Sequence, residues 1–343
     1  MIYRKKKMQK IRWGIIGCGD VTEVKSGPAF YKLEGSELIA VMRRNADLAK
    51  EFAKRHNVPK WYSDAESLVN DPEIDAIYIA TPPSTHKEYT LLAAQAGKIV
   101  YVEKPMALTF EECNEMIAAC QSQNVPLFVA YYRRALPRFL KIKELIDSGA
   151  IGTPRIVNCQ LFREMESRYQ DPNNLPWFVK PEISGGGLFV DLACHTLDIL
   201  DFLLGKIISV KGHANSQAKA YPAEDCVSMS FMFENHIQGV GIWNFAAGTR
   251  EDKVEIIGTK GKIAFATFGD AAISYYDENN QLHQFHFENP KHIQMPFIQT
   301  VIHQLQRNNI SSSNGEAAAR TSWVIDEVLK EYRTALYIEN KEK

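Results

Sequence analysis

A lysine that follows a short apolar run is the first residue in this chain that could do chemistry. Lys104 lies in the run Tyr-Val-Glu-Lys-Pro, and its amine could stabilise a developing alkoxide. Upstream, a glycine turn containing Gly17 and Gly19 could hold a pyrophosphate. Downstream, Asp191 and His195 are four residues apart, so on a helix they would share one face and could transfer a proton. Together these groups predict hydride transfer between a nicotinamide and an alcohol.

The glycine turn closes a β-branched strand and opens a helix. A Gly-x-Gly at this point lets the backbone approach a pyrophosphate closely, while the helix start offers N–H donors. The third glycine of the usual pattern is replaced by Thr22. The turn follows the first of several alternating strands and helices, which favours dinucleotide binding over a purely structural turn. The residues expected to contact the cofactor here are Gly17, Cys18, Gly19, Asp20 and Val21.

The end of the second strand indicates which dinucleotide is bound. An acidic residue at this point would bind the ribose 2′-hydroxyl of NAD, whereas this chain has Arg43 and Arg44. Guanidinium groups pair with a 2′-phosphate through charge-assisted hydrogen bonds, so the sequence favours NADP over NAD. The alternative interpretation is a pair of solvated arginines in a loop.

A second group of candidate cofactor residues follows another buried strand, at the edge where ligands bind in doubly wound sheets. We expect Thr81 and Pro82 to line the nicotinamide ribose or the diphosphate. His86 stands near a helix start, where a structural role and a ligand contact both remain open.

The pattern of short strands and helices predicts an α/β protein of two domains. From Ile11 to about Tyr131, β-branched runs alternate with helical stretches, which is typical of a parallel, doubly wound sheet of the Rossmann type. Segments of period two follow and predict a second, largely antiparallel sheet. We therefore expect a cofactor domain at residues 1–131 and a domain for substrate binding and oligomerisation at residues 132–343.

Two details of the second domain lead to further expectations. A helix around Leu192–Leu204 can cover only one face of the sheet, so the other face is expected to bind a further copy of the chain. In the predicted strand Cys226–Phe233, every second residue from Val227 to Phe233 is apolar, so one face of this sheet is expected to be shielded from water. Near the end, Ser313 and Glu316 have capping-box spacing and predict a helix that runs to about Tyr337.

Composition favours a small-molecule partner in the cytoplasm. The 343 residues include 40 basic and 41 acidic ones, a balance that offers no field to attract nucleic acid or an anionic membrane. The six cysteines have no zinc-type spacing and are expected to be reduced thiols, with Cys194 a buried apolar residue rather than a nucleophile. The apolar stretch after Arg4-Lys5-Lys6-Lys7 is too short for a signal peptide or a membrane span.

Four motifs, in their order and approximate spacing, resemble those of the Gfo/Idh/MocA family of oxidoreductases. They are Gly17-x-Gly19, Thr81-Pro82-x-x-x-His86, Glu103-Lys104-Pro105 and Gly185-Gly186-Gly187-x-x-x-Asp191-x-x-x-His195. The resemblance covers nearly the whole chain and implies a Rossmann domain followed by an α/β domain with a large open sheet. It also implies NAD(P)-dependent oxidation or reduction of sugars, polyols or related alcohols without a metal, by a homodimer or homotetramer.

The resemblance also assigns roles to single residues. The family's lysine, aspartate and histidine fall on Lys104, Asp191 and His195. His195 is then the general acid and base, and Lys104 bonds the reacting oxygen. The remaining family positions that border the cofactor are Glu103, Arg134 and Trp177, whereas Thr22 and Ala130 depart from the family pattern.

Two other functions remain open at this point. A catalytically silent, dinucleotide-binding sensor would use the same fold but would not need Lys104, Asp191 and His195 together. Redox-neutral glycoside cleavage with a retained cofactor would use the same residues for its first step.

Overall fold

The structure is a computed structural model that describes residues 10–169, 171–307 and 313–341. It has two compact units. The first contains the described residues up to Leu136 together with those between Pro290 and Ala319, and the second contains Pro137–Asn289 and the residues from Arg320 on. The expected division at residue 131 assumed two continuous stretches, whereas here a late segment of the chain returns to the first unit. No helix within the described ranges has the length and apolarity that crossing a membrane requires.

The first unit contains a six-stranded, fully parallel sheet in the order β3-β2-β1-β4-β5-β6. Its strands are β1 Ile11–Ile16, β2 Ser36–Met42, β3 Lys60–Tyr62, β4 Ala76–Ile79, β5 Ile99–Val102 and β6 Leu127–Val129. Its helices are α1 Asp20–Val24, α2 Gly27–Lys32, α3 Ala46–Arg55, α4 Ala65–Val69, α5 His86–Gln95, α6 Phe110–Ser122 and α10 Met295–Arg307. The strand order is that of a dinucleotide-binding sheet. The chain adds β2 and β3 on one side of β1, and it adds β4, β5 and β6 on the other side. The expected Rossmann fold is confirmed.

The second unit is built on an eight-stranded sheet in the order β14-β13-β12-β11-β7-β10-β9-β8. All neighbours are antiparallel except β7 and β10, which confirms the expected mostly antiparallel sheet. The strands are β7 Pro154–Phe162, β8 Ile207–Asn215, β9 Cys226–Phe233, β10 Gln238–Asn244, β11 Glu251–Gly258, β12 Lys262–Phe265, β13 Ile273–Tyr276 and β14 Leu282–Phe285. The helices are α7 Pro137–Asp147, α8 Pro181–Ser184, α9 Leu188–Leu204 and, from Arg320 on, α11 Gly315–Lys341.

One face of the second sheet is dry. In β9 the residues of the expected apolar face are buried, and on β10 small residues make room for aromatic rings. A Cβ on Gly239 would lie 2.2 Å from the Phe231 ring, and one on Gly241 would lie 2.4 Å from the Trp243 ring. The helix α9 packs on this side, where Phe189 meets Trp243 edge to face at 5.3 Å. The opposite face carries exposed β10 side chains.

One prediction from the sequence needs correction, and one helix was not predicted at all. The capping residue of α11 is Asn314, whose Oδ1 accepts the Ala317 N–H at 2.9 Å, and not Ser313. The Ser313 hydroxyl instead donates to the Val129 carbonyl at 3.1 Å. The sequence also gave no indication of α10, whose apolar residues, among them Phe297 and Ile302, are buried in the core of the first unit.

Candidate active site

The glycine turn at the end of β1 is fixed on one side and open on the other. Gly17 has a φ of +91°, and a Cβ there would lie 2.7 Å from Thr81 Cγ2, so only glycine fits. Its N–H donates to the Met42 carbonyl at 3.0 Å, which ties the turn to β2. A Cβ on Gly19 would meet nothing within 4 Å, so the open side of the turn lies at this residue. A pyrophosphate fits such a turn because it can come close to the backbone.

Thr22, at the third position of the glycine pattern, is buried and forms a hydrogen bond within the turn. Its Oγ1 donates to the Gly19 carbonyl at 2.7 Å. Close packing is provided instead by Gly27, where a Cβ would lie 2.0 Å from the Thr22 carbonyl oxygen. Cys18 is buried inside the turn, and burial raises its pKa to about 11, so the thiol is neutral. The sequence did not indicate Gly27 because it lies outside the spacing of the motif.

Arg43 lies against the glycine turn. It follows the last residue of β2, and its Nη1 donates to the Cys18 carbonyl at 3.4 Å. Its backbone N–H donates to the Tyr62 carbonyl at the end of β3, at 3.2 Å. Both Arg43 and Arg44 are exposed. The structure therefore places one of the two predicted guanidinium groups at the turn that would hold the cofactor.

His86 joins the turn after β4 to the turn after β5. The ring is fully buried, with Nε2 2.8 Å from the Thr81 carbonyl oxygen and Nδ1 3.0 Å from that of Pro105. Burial lowers its pKa, so the imidazole is neutral and has one N–H to donate. These contacts give His86 a structural role, and its contact with the cofactor stays a prediction. The ring lies between the Thr81 and Pro105 carbonyls and donates its one N–H to one of them.

Glu103, the residue before Lys104, is a buried carboxylate whose oxygens bond protein groups. Oε1 accepts from the Tyr78 hydroxyl at 2.6 Å and from Gln294 Nε2 at 2.7 Å, while Oε2 accepts the Lys104 N–H at 3.2 Å. The Tyr101 hydroxyl donates to the other end of the Gln294 amide at 3.2 Å. Burial raises the pKa of both phenols, so they remain donors. In this arrangement Glu103 fixes the backbone of the half-buried lysine.

The start of α9 is fixed by a second buried carboxylate, which the sequence did not single out. Glu224 Oε1 accepts the Gly187 N–H at 2.8 Å. A Cβ on Gly187 would lie 2.6 Å from the Glu224 carbonyl oxygen, and one on Gly186 would lie 2.3 Å from Val190 Cγ2. The glycines therefore serve the close packing at this helix start. Burial raises the pKa of Glu224 above its usual value.

The two predicted proton-transfer residues lie on α9. Asp191 is half-buried and His195 is 5% exposed. The imidazole of His195 stands edge to face against Phe268, with ring centres 5.7 Å apart. Cys194 is fully buried and its Sγ lies 3.2 Å from the Asp191 carbonyl oxygen, as expected for a packing residue.

The remaining predicted residues are divided between the two units. Arg134 is 4% exposed and lies in the short 3₁₀ helix Tyr132–Ala135 of the first unit. Trp177 lies in the second unit, where it is 42% exposed and its ring stands 5.7 Å from that of Phe178. The glycine turn and Lys104 belong to the first unit, and the α9 pair belongs to the second.

Comparison with known proteins identifies the family. The Gfo/Idh/MocA oxidoreductase family with an NAD-binding Rossmann fold matches residues 11–131, and its C-terminal domain matches residues 139–264. Oxidoreductase P35 of Formosa agariphila is 41% identical over 317 residues, which are 92% of this chain and 98% of that protein. This chain belongs to the Gfo/Idh/MocA family. It is an oxidoreductase with an NAD-binding Rossmann domain.

Other Gfo/Idh/MocA relatives agree with this assignment. The 1,5-anhydro-D-fructose reductase of Ensifer adhaerens is 28% identical over 256 residues, which are 74% of each protein. A solved structure of levoglucosan dehydrogenase in complex with NADH and levoglucosan superimposes with a TM-score of 0.85 at 22% identity, over 95% of this chain and 98% of that one. Identity this low supports the fold alone. The resemblance inferred from the four motifs is confirmed, whereas the roles of single site residues remain predictions.

Proposed function

We propose that this protein is an NAD(P)-dependent dehydrogenase or reductase that acts on the CH–OH group, or the matching ketone, of a sugar, polyol or related alcohol. The observation that carries the proposal is the fixed lysine. Lys104 lies two residues beyond a central strand of the dinucleotide-binding sheet, and the Glu103 network sets its backbone. The same chain presents Asp191 and His195 on one helix. A relative named 1,5-anhydro-D-fructose reductase supports this substrate class.

The proposed mechanism gives each side chain one task. His195 accepts the hydroxyl proton of the alcohol, and Asp191, on the same helix face, orients the imidazole. Lys104 Nζ donates a hydrogen bond to the reacting oxygen and stabilises the negative charge that develops there, as a metal ion does in other dehydrogenases. A bound nicotinamide would supply hydride transfer to or from the carbinol carbon.

The cofactor contacts follow from the turns of the first unit. The backbone from Gly17 to Val21 would hold the pyrophosphate, and Thr81 with Pro82 would line the nicotinamide ribose or the diphosphate. Because Arg43 lies beside Cys18, its guanidinium can reach the 2′-position of the adenosine ribose. A cation there favours a 2′-phosphate, so NADP is preferred over NAD. Arg134 and Trp177 complete the cofactor surroundings in this proposal.

We assign the exposed face of the second sheet to self-association. The central strands β7 and β10 expose Ile156, Val240 and Ile242 by 46%, 52% and 37%. Apolar side chains in the middle of an open sheet are stabilised when a second copy covers them. The proposed functional form is thus a homodimer or homotetramer. We also propose that it works in the cytoplasm on a small-molecule substrate and binds neither nucleic acid nor a membrane.

The proposal is tested by turnover with a panel of sugars, polyols and keto-sugars, followed by nicotinamide absorbance. Lys104→Met and His195→Ala should each lower kcat by about 10²- to 10⁴-fold, because each removes a proton-transfer or charge-stabilising group. Dinucleotide affinity, measured by fluorescence titration, should remain. Matched controls are Lys87→Met on α5 and His303→Ala on α10, which should keep the wild-type rate. Dinucleotide binding without any turnover, or a full rate in His195→Ala, would contradict the proposal.

A further inference from the structure

The segment from Ala266 to Ala271, which follows β12, has its backbone held from two sides. Asp252 of β11 accepts three successive N–H groups, those of Thr267 at 2.8 Å, Phe268 at 2.7 Å and Gly269 at 2.9 Å. Arg138 of α7 donates to the carbonyls of Ala266 at 3.1 Å, of Ala271 at 3.2 Å and of Gly269. Charged groups bonded to several backbone groups hold a loop far more firmly than single neutral hydrogen bonds. We name residues 266–271 the clamped loop.

The clamped loop contacts α9 at two successive residues. The Phe268 ring stands at 82° to the His195 imidazole, with ring centres 5.7 Å apart. The Thr267 hydroxyl lies 3.1 Å from that of Thr196, the next residue on the helix. Edge-to-face packing is a preferred geometry for aromatic rings, so this contact favours one orientation of the imidazole.

A third residue, Arg163, contacts the Phe268 ring. The guanidinium carbon of Arg163, just beyond β7, lies 5.5 Å from the centre of this ring. The Arg163 backbone is itself fixed, because its N–H donates to the Asn244 carbonyl at 2.8 Å and its carbonyl accepts from the Ala247 N–H at 3.1 Å. A cation over an aromatic face is favourable, so the ring is held between a fixed arginine and the imidazole.

We propose that Phe268 is a positioning residue, which fixes the His195 imidazole at the angle that proton transfer requires. This inference rests on the proposed function of His195. The ring is only half-buried, and Asp252 and Arg138 bond the backbone of the loop. Removing the ring therefore leaves these backbone bonds in place and removes the edge-to-face contact with the imidazole. Small displacements of a catalytic group slow a reaction strongly, since a displacement of about 1 Å can lower the rate by about 10²-fold.

The first test is spectroscopic and needs no substrate. In protein with isotope-labelled histidine, the His195 ring signals are identified by their loss in His195→Ala. Phe268→Ala should shift these signals because the ring current of the neighbouring phenyl is removed, whereas Phe268→Tyr should leave them near their wild-type positions. Phe285→Ala is the matched control, since Phe285 is also half-buried under a cation, with Lys141 Nζ 4.8 Å from its ring centre. This control should not move the His195 signals.

The second test is kinetic. Phe268→Ala should lower kcat by about tenfold to a hundredfold with little change in the KM of the dinucleotide, and Phe268→Tyr should restore the rate. Phe285→Ala should match wild type. If Phe268→Ala does not fold, as judged by its melting temperature, Phe268→Leu keeps the apolar volume without the ring and should show the same loss of kcat.

The results separate this inference from the proposed function. Lower kcat together with shifted His195 signals, both restored by tyrosine, supports the inference. A wild-type kcat in Phe268→Ala, or unmoved His195 signals, overturns it while the proposed function stands. A wild-type protein that turns over no alcohol or ketone overturns both.

Discussion

Single residues in this protein owe their chemical position to partners far away in the chain. Lys104 is the clearest case, because the carboxylate of Glu103 that fixes its backbone is bonded in turn by Gln294, 191 residues further on. The sequence predicted Lys104 from its motif and expected Glu103 to contact the cofactor. It could not indicate Gln294, since no spacing rule relates a glutamine near one end of the chain to a motif near the other. His86 shows the same limit, for its two ring contacts lie on separate turns.

Arg43 allows a prediction about cofactor preference at the scale of one residue. Arg43→Asp should move preference from NADP toward NAD, because the carboxylate repels a 2′-phosphate and can accept from a 2′-hydroxyl. A charge-assisted hydrogen bond contributes about 1.5–3 kcal/mol, so the NADP/NAD ratio of kcat/KM should fall by about 10- to 150-fold. Steady-state kinetics with both cofactors measures this ratio.

The matched control for Arg43→Asp is Lys50→Asp on the exposed surface of α3, which changes the net charge equally. It should leave the NADP/NAD ratio as in wild type. An unchanged ratio in Arg43→Asp, or an equal fall in both variants, would contradict the assignment of Arg43.

At the scale of helices and strands, the sequence predicted some strands with their observed bounds, among them Ile99–Val102 and Cys226–Phe233. The strand Ile99–Val102 was predicted with its observed bounds, because β-branched residues without polar interruption have no stable alternative to a central strand. Helix caps were harder. Ser313 and Glu316 have capping-box spacing, yet the Ser313 hydroxyl bonds the carbonyl of Val129, 184 residues away, and Asn314 becomes the cap. Tertiary contacts of this kind override local preferences.

The start of α9 was predicted four residues too late, and Glu224 explains the difference. The sequence placed the helix from Leu192, whereas it begins at Leu188 and so includes Asp191. A glycine triplet is typical of a loop. Here the N–H of its last residue, Gly187, donates to Glu224, and the helix begins at the next residue. A carboxylate at a helix N-terminus is favourable, since it meets the positive end of the helix dipole. The sequence could not predict this contact because Glu224 lies in a different segment.

Glu224 leads to a prediction about stability and pH. Burial raises its pKa in the folded state above the ordinary 4.5, so in the window between the two pKa values the folded protein holds a proton that the unfolded chain has released. Stability therefore falls as pH rises through this window. Glu224→Gln keeps an oxygen acceptor for Gly187 and has no proton to lose. Its free energy of unfolding should lack this part of the decline. As pH rises, the free energy of unfolding of Glu224→Gln should therefore increase relative to that of wild type.

Urea unfolding of wild type and Glu224→Gln at several pH values between about 4.5 and about 8 measures this difference. Glu182→Gln, at an exposed position on α8, is the control and should follow the wild-type profile. Parallel profiles of wild type and Glu224→Gln would show that Glu224 does not carry the effect.

At the scale of the whole molecule, the sequence predicted the two sheets and their types but not how the chain is shared between them. The segment Pro290–Ala319 returns to the first unit, where α10 buries Phe297, Ile298, Val301 and Ile302. It also brings Gln294 to Glu103. A change of pattern along the chain can indicate where a new domain begins, whereas a return to an earlier domain leaves no comparable signal. The candidate site depends on this return, because the backbone of Lys104 is fixed through it.

Self-association is the property of the whole molecule that the exposed face of the second sheet predicts. Val240→Asp combined with Ile242→Asp should convert the oligomer into single chains of 38.9 kDa, because burying two unpaired carboxylates between apolar surfaces is unfavourable. Sedimentation velocity gives the mass of each species. Leu140→Asp on α7, where an apolar side chain is 47% exposed, should keep the wild-type mass. A wild-type protein that sediments as a single chain, or a double variant that still forms the oligomer, would mean that this face does not bind a second copy.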